Sequence, residues 1–399
     1  MPILLLFLLL FLPLSAEEKR TICLNMIVKN EKAVITRCLA SVKPIIDYWV
    51  IVDTGSTDGT QDVIKEFMKD IPGELHERPW KNFEHNRNEA IDFAKDKADY
   101  LLIMDADDFL EFDPGFTIPP LTGGSYRLWI KYGSTSYQRN QFIQTKLPWK
   151  WVGVVHEVLT CDEPHSELLM NGIKYVVGSG GARSQDPKKF HKDAEVLENA
   201  LKNDPDNTRY MFYLAQSYRD SGQYDRALEW YRKRIEKGGW QEEVYWSMFQ
   251  VALLEQVLNR SEETVIESFL RANRYRPHRP EPVYYVAEMY RKQGRFDLAY
   301  SLLKSRDFIL RPVSPDVLFV QDWIEEYGLL FELSITSFYV GHYQESLDAC
   351  DKLLEIKDLP QTWRDQVELN RLYPMTKLNE QERARENGLG EGVPMLAAG

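Results

Sequence analysis

The sequence predicts two structural classes in one chain: an α/β domain built on a parallel sheet, then an all-α array of helical repeats. Three observations predict this. Between Thr21 and Leu110, short apolar runs (ICLNMIV, YWVIVD, YLLIMD) alternate with helical stretches, the pattern of successive β-α-β units. From Pro187 onward the strand signal vanishes and apolar residues recur at helical spacing to about Leu372. Within that half, small residues and glycines return at fixed positions, as they do in stacked helix pairs.

With 399 residues the chain is long enough for two domains with cores of their own. A composition of 44% hydrophobic and 28% charged residues is that of a globular protein. The net charge of −12 argues against a general nucleic-acid binder, which needs clustered Lys and Arg, but leaves room for a local basic pocket. The 10 Trp and 21 Tyr suit both aromatic stacking on ligands and the cores of helical repeats. Pro2 to Leu14 are nearly all Leu, Ile and Phe, followed by Ser15-Ala16 and the charged EEKR. That run is short for a bilayer span. Residues 1–16 read as a secretory signal peptide, with an uncleaved membrane anchor as the alternative, so the expected location is the secretory lumen or the exterior, with or without a membrane tether. Four scattered cysteines (Cys23, Cys38, Cys161, Cys350) read as buried thiols with no disulfide framework, and Asn259-Arg260-Ser261 is a glycosylation sequence.

In the first half, the strand ICLNMIV leads into the polar loop Lys29-Asn30-Glu31, and a helix is expected from there to about Val42. The strand YWVIVD ends at Asp53 and opens the loop Asp53-Thr54-Gly55-Ser56-Thr57-Asp58-Gly59-Thr60. Thr57 or Asp58 can cap the following helix, and Asp53 is placed to accept hydrogen bonds from a ribose or a base. A short strand is expected near Leu75 and a third helix over Asn86 to Ala98. Arg87 on its first turn can reach a phosphate, helped by the helix N-terminus. Right-handed crossovers bring these strand ends to one side. No GxGxxG or GxxxxGK[ST] follows a strand, which disfavours dinucleotide oxidoreductases and P-loop enzymes.

LLIMDADDFL, Leu101 to Leu110, is the most informative stretch. A buried strand runs straight into Asp105, Asp107 and Asp108. At a strand terminus such carboxylates face the crevice where open α/β sheets bind ligands. Asp105 and Asp107 converge if the chain bends at Ala106, and two converging carboxylates call for a hard cation, Mg²⁺ or Mn²⁺, which would bridge to nucleotide phosphates. Asp108 beside them is a candidate catalytic acid or base.

NMIVKNE, IVDTGSTDGT, the Arg87-Asn88 pair and MDADD, in this order and spacing, resemble family 2 glycosyltransferases over roughly Thr21 to Leu110. The resemblance implies a GT-A fold (Rossmann-like, nucleotide-diphospho-sugar transferase), a nucleotide-sugar donor such as a UDP-sugar, and inversion at the anomeric carbon. It implies that Asp53 contacts the nucleoside and that Asp105 and Asp107 hold Mn²⁺ or Mg²⁺ on the diphosphate. Asn30, Glu31, Ser56, Asp58, Arg87 and Asn88 then become donor contacts, in a catalytic domain over residues 20–183.

Past Phe112, Pro114, Pro119, Pro120 and Gly123-Gly124 end regular structure. SYRLWIKYG and the runs around Phe142 and Val152 to Leu159 read as short antiparallel strands. In LPWKWVGVVHEVL, Trp149 and Trp151 can stack on a sugar or pack in the core, and alternation favours the core for Trp151. Inverting transfer needs a base for the acceptor. Glu157 is the candidate base, and His156 a candidate metal ligand or acceptor contact; a VHE element looks similar in tetratricopeptide-bearing members of the family. GSGGARSQDPKK reads as a linker, and Arg183 as a linker arginine, with a diphosphate contact from a flexible loop as the alternative.

The second half, residues 187–375, is expected to be tetratricopeptide-like. YMFYLAQSYRDSGQYDRALEWYRKR carries Leu214-Ala215, Tyr218, Gly222, Ala227 and Tyr231 at that repeat's spacing. Val286-Ala287, Tyr290, Gly294, Ala299 and Leu303 repeat it, a degenerate copy ends at Pro277, and LLFELSITSFYVGHYQESLDACDKLL is a fourth. KFHKDAEVLENALKNDP is half a repeat, and residues 378–399 are expected to be a disordered tail. Such arrays present curved binding surfaces, here for a protein, peptide or glycan acceptor. The reading is a metal-dependent inverting glycosyltransferase whose acceptor is held partly by the repeats. The rival is a non-catalytic scaffold with a relic nucleotide-sugar domain. A nucleotidyltransferase would need a Gly-rich basic loop after the first strand, where this chain has NMIVKNE.

Overall fold

A computed structural model describes residues 20–305 and 314–386. The leader expected at 1–16 lies outside the described residues, as do the last residues of the expected tail. Among the described residues no helix is long and apolar enough to cross a membrane. The chain divides into two compact units, residues 20–131 with 138–187, and residues 132–137 with 188–386.

The first unit opens with β1 (Ile22–Val28), α1 (Ile35–Val42), β2 (Tyr48–Asp53), α2 (Thr60–Phe67), β3 (Gly73–Glu77), α3 (Phe83–Ala94) and β4 (Tyr100–Ile103). These strands are parallel, in the order β3-β2-β1-β4. β1, β2 and β4 are buried along nearly their whole length, which is why they read as unbroken apolar runs. Beyond them, β5 (Phe109–Phe112), β6 (Ser125–Tyr132), β7 (Thr135–Gln144) and β10 (Glu167–Val176) extend the sheet to eight strands, in the order β3-β2-β1-β4-β7-β6-β10-β5. β7 runs antiparallel to β4, so one edge of the parallel core gains an antiparallel neighbour. β8 (Lys150–Val152) and β9 (Val158–Thr160) form a separate antiparallel pair.

Several local expectations need correction. Helix α1 starts at Ile35 and not at Glu31, because the Glu31 carbonyl first accepts the N–H groups of Val34 and Ile35 in a turn. α3 starts at Phe83, where the Asn82 side chain caps it by accepting the His85 N–H at 2.8 Å. β10 pairs parallel with β6 and is ten residues long; a register shift between Leu169 and Lys174, around Gly172, breaks the alternation that would have marked it. GSGGARSQDPKK is not a free linker: its glycines fold back onto the acidic turn after β4, as described below.

The second unit is helical. α4 (Lys189–Asn203) leads into the pairs α5 (Thr208–Asp220) with α6 (Tyr224–Lys237), α7 (Gln241–Val257) with α8 (Glu262–Tyr275), α9 (Glu281–Lys292) with α10 (Phe296–Lys304), and α11 (Leu329–Tyr339) with α12 (Tyr343–Glu355). The signature residues Leu214, Ala215, Tyr218, Ala227 and Tyr231 are all buried, as are Val286, Ala287 and Ala299. α13 (Gln361–Glu386) closes the array and carries the helix through the first part of the stretch expected to be disordered. A segment between α10 and α11, Ser314 to Gln321, packs across the pairs. Glu242 of α7 accepts the N–H groups of Val317 and Leu318 at 2.7 and 2.8 Å, and Arg279 donates to the Leu318 and Phe319 carbonyls at 3.1 and 3.0 Å. The Phe319 ring stacks on Phe212 and tilts against Trp246. Arg279, Glu281 and Asp316 are fully buried here, and they persist because each charge is paired.

Candidate active site

β1 has β2 on one side and β4 on the other, so the chain reverses direction across the sheet at β1 and a crevice opens at its carboxyl end. Asp53 closes β2 at this crevice. Its Oδ1 accepts the N–H groups of Gly55 and Ser56 at 2.8 and 2.7 Å. Its Oδ2 is buried with no hydrogen-bond partner among the described residues. A buried carboxylate oxygen is costly when left alone, so an orphan at a strand end marks where a donor group of a ligand fits. Around it the loops after β1 and β2 are laced together. The Asn30 N–H donates to Ser56 Oγ at 2.8 Å and its Oδ1 accepts from Thr57 N–H at 2.8 Å; Asp58 accepts from the Lys32 N–H at 3.1 Å and from Thr60. Partial burial works against ionised Asp58, but the Thr60 and Lys32 bonds outweigh it and hold the carboxyl below the usual range. Asn30, Ser56 and Asp58 therefore shape the loop that presents Asp53.

The acidic turn sits at the end of β4. Asp105 Oδ1 accepts from Arg87 Nη2 at 2.6 Å, and Arg87 Nε donates to Glu157 Oε1 at 2.6 Å. Arg87 lies over the Trp151 ring, with its side chain only 12% exposed. Burial would raise the pKa of Asp105, but the guanidinium groups of Arg87 and Arg139 prevail and keep it below the usual range. Asn88, next on α3, trades two hydrogen bonds with the Trp151 backbone (2.9 and 2.8 Å) and so fixes β8 against α3. Asp108 is buried; its Oδ1 accepts the Gly178 N–H at 2.8 Å, and burial together with the Asp105 charge pushes its carboxyl up to about 7. Asp107 Oδ2 accepts the Gly181 N–H at 3.2 Å, and Glu31 accepts the Ala182 N–H at 3.2 Å. Burial, then the Asp107 charge, pushes Glu31 up to about 7.

The strap from Gly178 to Ala182 can lie this close only because of its glycines. A Cβ on Gly178 would come within 1.9 Å of the Asp107 carbonyl oxygen, and one on Gly181 within 2.5 Å of Asp107 Oδ2.

Several expected roles change. Glu157 is the counter-ion of Arg87, with its side chain 8% exposed, and Asp108 lies beneath the strap, so both position other groups and neither is an open base. Trp149 is buried in the core cluster with Trp151, its ring edge-on to His165 at 4.8 Å, and has no face open to a sugar. Exposed His156 occupies a left-handed turn (φ 53°). Among the described residues no group of three or more His, Cys, Asp and Glu could hold a metal ion, so Asp105, Asp107 and His156 do not form a closed ligand set. The donor chemistry still fits a hard cation, since Mg²⁺ is commonly held by one or two carboxylates and by substrate phosphates. Asp107 and Glu31 both face the strap here, where they accept the Gly181 and Ala182 N–H groups. Arg139, Gln141 and Tyr175 were not anticipated. Arg139 and Gln141 share one face of β7 at two-residue spacing, a pattern common to any solvated strand face.

A parallel core with an acidic turn at its crevice, followed in the chain by stacked helix pairs, defines the class: an α/β ligand-binding domain that carries helical repeats. Residues 23–120 match the family model described as Glycosyl transferase family 2, and residues 193–238 match a Tetratricopeptide repeat model. The first unit thus contains a family 2 glycosyltransferase domain with the GT-A fold, and the second contains tetratricopeptide repeats. The SPbeta prophage-derived glycosyltransferase SunS of Bacillus subtilis (strain 168) is 26% identical over 242 residues, 55% of this chain and 54% of its own. The TPR repeat-containing protein Synpcc7942_0270 of Synechococcus elongatus is 24% identical over 306 residues, 70% of this chain and 73% of its own. The chain spans about half the length of the SunS relatives it matches first. Among solved structures, MamA covers 42% of this chain and 88% of its own at 16% identity, with a TM-score of 0.32.

Proposed function

We propose that this protein is an inverting glycosyltransferase that moves a sugar from a nucleotide-sugar donor, a UDP-sugar in the first instance, to an acceptor recruited partly by the repeats. The observation that carries the reading is the pairing of Asp53, with its orphaned Oδ2, and the 105–108 turn on the two strands that flank β1. In this reading Asp53 receives the nucleoside and the acidic turn receives the diphosphate. Asp107 and Glu31 would hold Mn²⁺ or Mg²⁺, which when bound neutralises charge on the departing diphosphate. Arg87 and Glu157 keep Asp105 in place, and the strap from Gly178 gives backbone N–H groups to Asp107, Asp108 and Glu31.

The acceptor is a protein, peptide or glycan, and the repeat faces not covered by Ser314–Gln321 are its recruiting surface. For location, the apolar run before Ser15-Ala16 supports the secretory lumen or the exterior, with a membrane tether as the other outcome. The test is donor hydrolysis across a panel of nucleotide sugars, with Mn²⁺, with Mg²⁺ and with chelator. Metal-stimulated hydrolysis of one donor supports the reading. Failure to bind or hydrolyse any of them would leave the scaffold reading in its place.

A further inference from the structure

An array of stacked helix pairs normally ends in a helix with a polar outer face, because nothing stacks on it. The last helix here, α13, departs from that rule. It packs on α11 and α12 and buries Val367 and Pro374, seven residues apart on one face. At about 100° per residue, Leu369, Leu372 and Tyr373 fall away from that face, in one stripe at i, i+3 and i+4 spacing. Among the described residues the four most exposed large apolar side chains are Tyr373 (62%), Tyr339 (59%), Leu372 (58%) and Leu369 (57%). They gather at one place: the Phe338 ring lies 5.9 Å from that of Tyr373 and 5.4 Å from that of Tyr339. Apolar residues scattered singly over a surface need no account, but such a cluster marks a contact.

The charges along the stripe say what covers it. Asp365 and Gln366 precede the apolar residues, and Thr376 and Lys377 follow them. Two α13 helices laid antiparallel, with Leu369 of one against Tyr373 of the other, meet in a single register. That register sets Gln366 against Thr376 and Asp365 against Lys377, each pair occurring twice, and puts Leu372 beside its own copy. Among the described residues Asp365 has no ion pair; its Oδ1 accepts from Gln361 Nε2 at 2.6 Å. Lys377 Nζ donates to Glu380 at 2.9 Å and has two further N–H groups to give. Sliding one helix by three residues would set Asp365 against Glu380 instead, acid on acid, so charge selects the first register.

We propose that two copies of this chain pair through α13, antiparallel about a two-fold axis beside Leu372. A two-fold contact must be self-complementary, and a stripe with an acid at one end, a base at the other and apolar residues between them is so by construction. Pairing removes the leucines and tyrosines of both copies from water together. The inference makes no use of the crevice in the first unit, so it stands or falls apart from the glycosyltransferase reading.

Sedimentation velocity of the full chain over a wide range of concentration tests this. Wild type is expected to form a dimer that dissociates on dilution. Leu372→Glu should weaken pairing by about a hundredfold or more, and its circular dichroism and melting should match wild type because Leu372 is exposed. Lys377→Asp should weaken pairing by about tenfold. Asp365→Lys combined with Lys377→Asp should restore it, because each reversed charge then meets its reversed partner; no role within one copy predicts that rescue. A wild type that stays monomeric throughout overturns the proposal, and so does a dimer that Leu372→Glu leaves intact. Failure of the double reversal to rescue overturns the antiparallel pairing. A chain ended at Glu386 that no longer pairs would also overturn it, since residues 387–399 would then make the contact.

Discussion

Arg87 and Asp105, one on the second turn of α3 and the other at the end of β4, are joined by a 2.6 Å hydrogen bond, and the same guanidinium reaches Glu157 at 2.6 Å. If the arginine goes, Glu157 loses its partner and Asp105 keeps only the longer pair with Arg139. Removing one member of a buried ion pair leaves charge stranded in low dielectric. Arg87→Met is therefore expected to destabilise the protein by about 3 kcal/mol or more. Urea unfolding followed by tryptophan fluorescence measures this, and a change under about 1 kcal/mol would mean that water already screens the pair.

The strap makes a different demand. Gly181→Ala puts a methyl group within 2.5 Å of Asp107 Oδ2, and the strap or the aspartate must move. The strap contributes little apolar burial, so the unfolding midpoint should shift only slightly. Donor hydrolysis, by contrast, should change several-fold, and proteolytic cutting between Gly178 and Asp186 should speed up. An enzyme with wild-type hydrolysis and wild-type cutting would show that the close approach has no bearing on the crevice.

What the sequence disclosed, and what it hid, follows from how each residue acts. Asp53 and Asp105 were legible because each ends a run of buried apolar residues, a combination that a surface turn has no reason to make. The repeats were legible because helix pairs need small residues at fixed contacts, and Ala215, Ala227, Ala287 and Ala299 are all fully buried. Arg139 was hidden because a charged residue on a strand looks the same whether it faces solvent or an acidic turn 34 residues earlier in the chain. GSGGA was misread for a related reason: glycines that permit close approach have the same composition as glycines in a linker. Trp149 misled because an aromatic residue serves a core or a sugar equally well, and only burial tells them apart.

Asp107 gives the most direct test of the chemistry. Its carboxylate is half-buried, where Oδ2 accepts the Gly181 N–H, and its loss removes that hydrogen bond and one negative charge but leaves no cavity in the core. Asp107→Ala should therefore still fold, with its circular dichroism spectrum unchanged and its melting temperature within a few degrees of wild type. Sugar transfer and donor hydrolysis should both fall to background, and extra Mn²⁺ or Mg²⁺ should not restore them. Activity that survives the substitution would remove the acidic turn from the mechanism.

The repeats carry a pH dependence of their own through Asp316. Burial opposes its ionisation, but hydrogen bonds from Arg276 and His278 and the charge of Arg279 outweigh burial and hold its carboxyl below the usual range. A carboxylate whose pKa is lower in the folded state than in the unfolded state stabilises the fold above the unfolded value, and that contribution is lost as pH falls through the folded one. Acidification below about pH 4 should then loosen Ser314–Gln321, which Arg279 and Glu242 hold by its backbone, and should change the fluorescence of Trp246 beside Phe319. Asp316→Asn is expected to be less stable than wild type at neutral pH, because Arg279 and Arg276 lose a charged partner, and to lose part of the acid dependence. If the two proteins differ by the same amount at pH 7 and at pH 3, the Asp316 charge does not hold the segment and packing around Phe319 does.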